Sequence, residues 1–461
     1  IRDRFKEVDM KIVIQGAGEV GSHLAKMLSL EANDITVIDD DPQRLANISS
    51  IADVIAIEGA PSSLRVMREA DVQNADLFIS VVPFVPQDVN LVSALLAKNL
   101  GAKKVTARID DNDFLSAENK LLFKQMGIEL MFYPERLAAD EIFDLLKHSS
   151  STESMDFARG KLQVEVFKLE EDSPLLDMKL AEFAAIATSD ELQFRVIAIS
   201  RGGKTIMPKY DTKFMFNDLV FIIATREGMA FLMKFLGKSN IEIDKVMILG
   251  GSDIAELVAA RLSQKISSVK ILERDKERGM ILSERLPDNV IIVIGDGRNS
   301  DLLLEEGIKD YDAFLALTGN DEANVLACVV AKKFGVDRTI AEVENIEYIH
   351  LAEEMGVDSV INKKLITAGR LFKFTLSGKA RLVKYMSGTD AEVLEYTVAP
   401  NSAITKGTLK DISFPKDAVI GGLIRGSESY IAIGSTRIEP YDRVVVFALP
   451  HTVKDIDRLF R

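Results

Sequence analysis

The segment IVIQGAGEVGSHLAKML, Ile12 to Leu28, returns later in the chain as VMILGGSDIAELVAARL, Val246 to Leu262. A recurrence of this length constrains the fold more than any local propensity, because each copy must be the same folded unit. Each copy is an apolar run, a turn of small residues and an amphipathic stretch, which predicts strand, tight turn and helix. The second strand of each copy ends in acid. Asp39 in TVIDDDPQR lies 23 residues past Gly16, and Glu273 in KILERDKER lies 23 past Gly250. IAIEGAPSS and IVIGDGRNS then set Gly59 against Gly295. ADLFISVV matches YDAFLALT, and VTARIDDNDFL matches RTIAEVENIEYI. Strands alternating with helices in this way predict an α/β fold with two Rossmann-like, doubly wound parallel-sheet domains.

A second texture follows each copy. LQVEVFKLEEDSPLL alternates apolar and polar residues, as a half-buried strand does. Arg201-Gly202 and Asp218 recur 224 residues on as Arg425-Gly426 and Asp442. The pattern reads as hairpin, tight Arg-Gly turn, hairpin, with each Asp at a turn before an apolar strand. The expected order is a Rossmann-like domain over 10–147, a small α+β domain over 151–237, a second Rossmann-like domain over 244–375 and a second small domain over 380–461. SSSTES (Ser149 to Ser154) and GKSNIEID (Gly237 to Asp244) read as linkers.

Composition narrows the function classes. A chain of 461 residues is too long for one core, so two to four domains are expected. The net charge of −14 argues against a general affinity for nucleic acid or anionic lipid, while leaving room for one local basic patch. Cys328 is the one cysteine, which rules out an intrachain disulfide and argues against a Cys-based metal site. The four histidines, 23, 148, 350 and 451, are scattered, so no metal is expected. A reducing cytoplasm suits this cysteine usage. No run of 18 apolar residues occurs, so no membrane-spanning helix is expected. The first nine residues, IRDRFKEVD, are polar and unlike a signal peptide; Met10 reads as the start, with the rest a remnant or short extension.

The turn GAGEVG, Gly16, Ala17, Gly18, Glu19, Val20 and Gly21, has the spacing G-x-G-x-x-G. The first glycine makes the tight turn, the second lets backbone approach a diphosphate, and the third lets helix pack on strand. Free N–H groups and the helix dipole favour phosphate at the helix start. Asp39, followed by Asp40, stands where a carboxylate accepts from ribose hydroxyls, and its charge disfavours the 2′-phosphate of NADP. Glu19 would repel a triphosphate, so NAD or NADH fits this site, site one, better than ATP. Site two, Gly250, Gly251, Ser252, Asp253 and Ile254, keeps only the first glycine of the pattern. Ser252 sets a side chain where backbone should approach phosphate, and Asp253 adds negative charge. Glu273 and Asp296 remain placed for ribose and adenosine. Two readings stay open there: a pocket kept for packing, or ATP or ADP held weakly.

Nothing announces catalysis. No Ser-His-Asp or Cys-His arrangement is visible. His23, two residues past the turn, reads as an ordinary helix residue. Arg201 and Arg425 read as turn residues, Cys328 as core, and Met10, Met27 and Met67 as packing. A duplicated binding domain with a duplicated accessory domain suits a sensor. The rival readings are an NAD-dependent oxidoreductase acting on a small metabolite, and a scaffold with vestigial nucleotide folds.

KIVIQGAGEVGSHLAKMLSLEANDITVIDDDPQRL with GAPSSLRVMREADVQNADLFISV resembles the nucleotide-binding domain of the regulator-of-K⁺-conductance (RCK) family. EDSPLLDMKLAEF with VIAISRGGKTIMPKYDTKFMFNDLVFIIATRE resembles its companion domain. Two tandem copies over nearly the whole chain resemble the Trk-type potassium uptake regulators. The resemblance implies a non-enzymatic cytosolic subunit that binds NAD(H) and adenine nucleotides, forms a homo-oligomer (dimer or tetramer) and gates a membrane K⁺ transporter. It would sit at the inner face of the plasma membrane through that transporter, without inserting. Carried over residue by residue, the phosphate loop is Gly16 to Gly21 and the ribose acid is Asp39. The loop after the third strand is Gly59 and Ala60, where the family's frequent Asp is kept only in the second copy, as Asp296. The loop after the fourth strand is Ser80, Val81 and Val82, matched by Ala316, Leu317 and Thr318; Pro83 and Pro86 depart from the polar loop usual there. Arg108 takes a basic position at the end of the fifth strand, with Glu342 as its counterpart. ERLAADEIFDLL and KKLITAGRLFKF resemble the crossover helix that pairs two such domains.

Overall fold

The computed structural model describes residues 10–29, 33–83, 86–147, 151–158, 160–186, 193–237, 242–372, 380–385, 389 and 391–460. The expected extension 1–9, His148 and parts of both expected linkers lie outside the described residues.

The first sheet has six parallel strands: β1 (Lys11–Gln15), β2 (Asp34–Asp39), β3 (Ile55–Glu58), β4 (Leu77–Ser80), β5 (Lys104–Arg108) and β6 (Leu130–Phe132). Their order is β3-β2-β1-β4-β5-β6. The connections reverse direction between β1 and β4, and a crevice at such a switch point is where open α/β sheets take ligands. Ile12, Val13 and Ile14 are fully buried, as a central parallel strand covered on both faces requires.

The small domains are antiparallel. β7 (Glu153–Phe157), β8 (Leu162–Lys168), β9 (Phe194–Arg201), β10 (Lys204–Ile206) and β11 (Leu219–Thr225) run in the order β10-β9-β11-β8-β7. β7 starts inside the serine-rich stretch read above as a linker. Alternation explains it: Met155 and Phe157 turn into the core, and the Ser154 hydroxyl donates to buried Glu165 at 2.9 Å.

The second Rossmann-like sheet, β12 (Lys245–Leu249), β13 (Ser268–Glu273), β14 (Val290–Ile294), β15 (Ala313–Ala316), β16 (Arg338–Glu342) and β17 (Ser359–Ile361), repeats the first in order, β14-β13-β12-β15-β16-β17. The last sheet is β18 (Ala380–Tyr385), β19 (Glu392–Thr397), β20 (Ala418–Arg425), β21 (Glu428–Ile431) and β22 (Arg443–Ala448), ordered β18-β19-β22-β20-β21. The two small-domain sheets share one core, with Phe221 and Phe447 at 5.6 Å between ring centres. The Arg195 guanidinium donates to the carbonyls of Ile420 and Ala432 at 3.1 and 2.8 Å. It thereby satisfies backbone acceptors that the sandwich would otherwise strand.

The chain divides into two compact units, and the two crossover helices are exchanged between them. One unit holds the first six-stranded sheet together with the helix Lys363–Phe372, which packs on the helix Glu19–Ser29. In the other unit the later residues of the helix Pro134–Lys147 pack near the helix Asp253–Leu262: Asp140 pairs with Arg261 at 2.7 Å, and the Arg261 guanidinium lies 3.7 Å over the Phe143 ring.

Arg201 and Arg425 are not turn residues. Each ends a strand and grips a buried carboxylate with both arms of its fork. Arg201 meets Asp218 at 2.8 Å on both oxygens, and Arg425 meets Asp442 at 2.9 and 2.7 Å. The same carboxylates accept the N–H of Met215 and of Glu439, each at 2.8 Å, so one pair ties two loops in each copy. A lysine could not span both oxygens.

Candidate functional site

Site one is built at the end of β1. Gly16 sits at φ +105°, and a Cβ there would meet the Val82 nitrogen at 2.7 Å. A Cβ on Gly21 would stand 1.8 Å from the Gly16 carbonyl oxygen. No other residue fits either place, so the turn and the close helix are both enforced by glycine. Gly18 also gives room to the Pro83 ring, whose Cγ lies 2.6 Å from where its Cβ would be. The second glycine thus admits the loop after β4.

Asp39 holds the turn. It is 2% exposed, its Oδ2 accepts from the Ala17 N–H at 2.6 Å, and its Oδ1 accepts from the Asp41 N–H at 2.9 Å. Asp40 beside it is exposed. Arg44 lies 3.7 Å from Asp39 and 3.4 Å from Asp41. The Gly59 N–H bonds the Asp39 carbonyl at 2.9 Å, setting the third-strand loop against the acid, while Ala60 is exposed. The loop after β4 is pinned by a residue that sequence reasoning missed. Buried Asn90 accepts from the Val82 N–H at 3.0 Å and the Ser80 hydroxyl at 2.8 Å, and donates to the Val82 carbonyl at 3.1 Å. Val81 is buried under the turn, and Val20 is half-buried.

Glu19 does not stand alone. Lys364, from the exchanged helix, places its ammonium 3.2 Å from the Glu19 carboxylate. Arg108 reaches Asp110 at 3.0 Å and Glu135 at 3.6 Å, and Lys363 reaches Glu135 at 3.9 Å. The turn is therefore less acidic than its own sequence implies.

Site two repeats the frame with different side chains. Glu273 accepts from the Gly251 N–H at 2.5 Å and from the Asp275 N–H at 2.7 Å, matching Asp39 bond for bond. Asn324 repeats Asn90, accepting from the Thr318 N–H at 3.1 Å and its hydroxyl at 2.6 Å. The Ser252 hydroxyl is a helix cap, accepting from the Ala255 N–H at 3.3 Å, and Ile254 is buried. The difference lies in Arg278, the counterpart of Arg44. Its guanidinium bonds the Gly251 carbonyl at 2.6 Å, Glu256 at 2.9 Å and Asp253 at 3.1 Å. The chain's own cation bridges the turn and the first helical turn, and it offsets the negative charge of Asp253. Asp296 is engaged by Arg298 at 2.5 Å, which holds its carboxyl down at about 2.

His23, one turn into the helix Glu19–Ser29, is held neutral by burial and by the charges of Lys26 and Lys364, down to about pH 4. Its Nε2 is buried without a hydrogen-bond partner. An unfolded chain takes this proton near pH 6.5. Between those values the unfolded state binds more protons, so stability falls as pH is lowered through the window, by up to about 3 kcal/mol. Thermal unfolding of wild type and His23→Gln should show a steeper loss of Tm from pH 6.5 to 4 in the wild type. Parallel profiles would contradict this.

The chain is similar to known proteins over nearly its whole length. The TrkA-N domain family matches residues 12–134 and 246–363, and the TrkA-C domain family matches 164–237 and 393–461. A Trk system potassium uptake protein TrkA homolog of Archaeoglobus fulgidus is 35% identical over 98% of this chain and 100% of its own length. The Trk system potassium uptake proteins TrkA of Halomonas elongata and Haemophilus influenzae are 31% and 30% identical, each over 98% of this chain and 99% of their own. Among solved structures, the GsuK RCK domain superposes with a TM-score of 0.60 at 15% identity, covering 100% of this chain and 96% of that one. The GsuK channel bound to NAD gives 0.59 at 16% identity, covering 100% and 80%. These two share the fold.

Proposed function

The chain belongs to the TrkA family, and from that premise we propose that it is a nucleotide-sensing regulatory subunit of a membrane potassium-uptake transporter. Site one is the nucleotide seat. The observation that carries this is the turn: two glycines that no side chain can replace, with a buried carboxylate fixing the strand end beside them. NAD or NADH suits it. The N–H groups of the turn and of the first helical residues would take the diphosphate, and Asp39 and Asp40 the ribose hydroxyls. When bound, the nucleotide contributes redox or adenylate state as a signal; this chain's residues bind and orient it.

Site two is closed by its own side chains. Arg278 places its Nε on the Gly251 carbonyl and one terminal nitrogen between Asp253 and Glu256, and Ser252 already caps the helix end that would meet phosphate. An oxidoreductase reading is less well supported, because the titratable ring nearest the turn, His23, is buried beside two lysines rather than poised for proton transfer.

No helix among the described residues is long and apolar enough to cross a membrane, so regulation would act through contact with the transporter. Assembly as a homo-oligomer belongs to the same proposal. Exposed apolar side chains recur at matching places in both halves, Val92 with Leu326, Leu122 with Leu351 and Met126 with Met355. A second copy would remove them from water. Light scattering should give a mass above one chain; a monomer would contradict the assembly.

A ligand regulates only by binding one conformation better than another, a differential of ~1–3 kcal/mol being typical. Potassium flux through the partner transporter, reconstituted with this protein, should therefore change when NADH is added. Flux that is the same with and without nucleotide would contradict the proposal.

A further inference from the structure

Building on the nucleotide reading of site one, we infer that Lys364 is a specificity residue of that site: by pairing Glu19 it admits nucleotides with terminal phosphates that Glu19 alone would exclude. The helix Lys363–Phe372 comes from the far half of the sequence, yet its first turn lies at the glycine turn. The Lys364 side chain is 15% exposed and Glu19 67% exposed. The cation is held in place by packing, and the carboxylate is the member free to swing away. A phosphate entering at the start of the helix Glu19–Ser29 can thus displace Glu19 and take over a fixed ammonium. Lys364 also stands in the first turn of its own helix, whose unsatisfied N–H groups add to the positive field.

The neighbouring charges do not duplicate this role. Arg108 and Lys363 both face Glu135, and Arg108 also pairs with Asp110. Lys26 contributes charge at His23, whose ring stays neutral. Among the described residues, Lys364 is the cation paired with Glu19. Because ATP and ADP carry charge beyond the diphosphate that NADH presents, they gain more from this cation than NADH does.

The test is calorimetric titration of the full-length protein with NADH, ADP and ATP, in wild type, Lys364→Gln, Lys364→Arg, Glu19→Gln and the double variant Glu19→Gln/Lys364→Gln. Lys364→Gln should weaken ATP by about tenfold and NADH by no more than about threefold, and it should flatten the salt dependence of ATP binding. Lys364→Arg, which keeps the charge, should preserve the ATP-to-NADH ratio. Glu19→Gln should tighten ATP only when Lys364 is present, so that the two changes are not additive. An ATP-to-NADH ratio that Lys364→Gln leaves unchanged overturns this inference alone. A wild type that binds none of the three nucleotides overturns the reading of site one and this inference with it.

Discussion

The molecule turns on a short contact made twice: a strand-end carboxylate accepting the N–H of a glycine turn. Asp39 takes the Ala17 N–H at 2.6 Å, and Glu273 takes the Gly251 N–H at 2.5 Å. That bond fixes the end of the second strand against the end of the first, so the helix after the turn starts at the switch point of the sheet. Each remaining feature of the two sites is added to that frame. The carboxylate, buried in Asp39 and half-buried in Glu273, is hydrogen-bonded on both oxygens, so the frame is satisfied before any ligand arrives. A ligand then meets a preorganised turn rather than one it must assemble.

Duplication preserved the frame and released the side chains. The backbone bonds match across the copies: Gly16 to Ile38 and Gly250 to Leu272, Gly59 to Asp39 and Gly295 to Glu273. The charges do not match. Arg44 stays with the strand-end acids, whereas Arg278 swings onto the turn and binds the helix start. Glu19 meets a lysine from the exchanged helix, whereas Asp253 meets an arginine of its own domain. One fold therefore carries two turns with different partners, Glu19 with Lys364 at the first and Arg278 across the second.

Much of the fold was legible because it follows from local pattern. Equal spacing from turn glycine to acid required equal strand and helix lengths, and the alternating stretches required sheets with one buried face. The misreadings have physical causes. β7 was hidden in a serine-rich stretch because its strand character comes from Met155 and Phe157 packing into a shared core, not from composition. Sequence pattern alone reads Arg201 and Asp218 as separate turn features; the same 17-residue spacing from Arg to Asp in both copies is the signal for a clamp. Arg278 could have been noticed because it stands five residues past Glu273, as Arg44 does past Asp39. Its swing onto the turn is a rotamer choice that no spacing encodes. Lys364 was out of reach, since helix exchange brings it to a turn 345 residues earlier. The Glu19 carboxylate, read from sequence as a lone charge, has the Lys364 ammonium set against it.

We propose one working nucleotide site per chain, at GAGEVG, with Arg278 holding the second shut. The most direct measurement is the binding stoichiometry of NADH by calorimetry on the purified protein, with NADH absorbance followed through the titration. One NADH bound per chain, with none consumed, is the predicted result. Two bound per chain, none bound, or steady loss of NADH would contradict it.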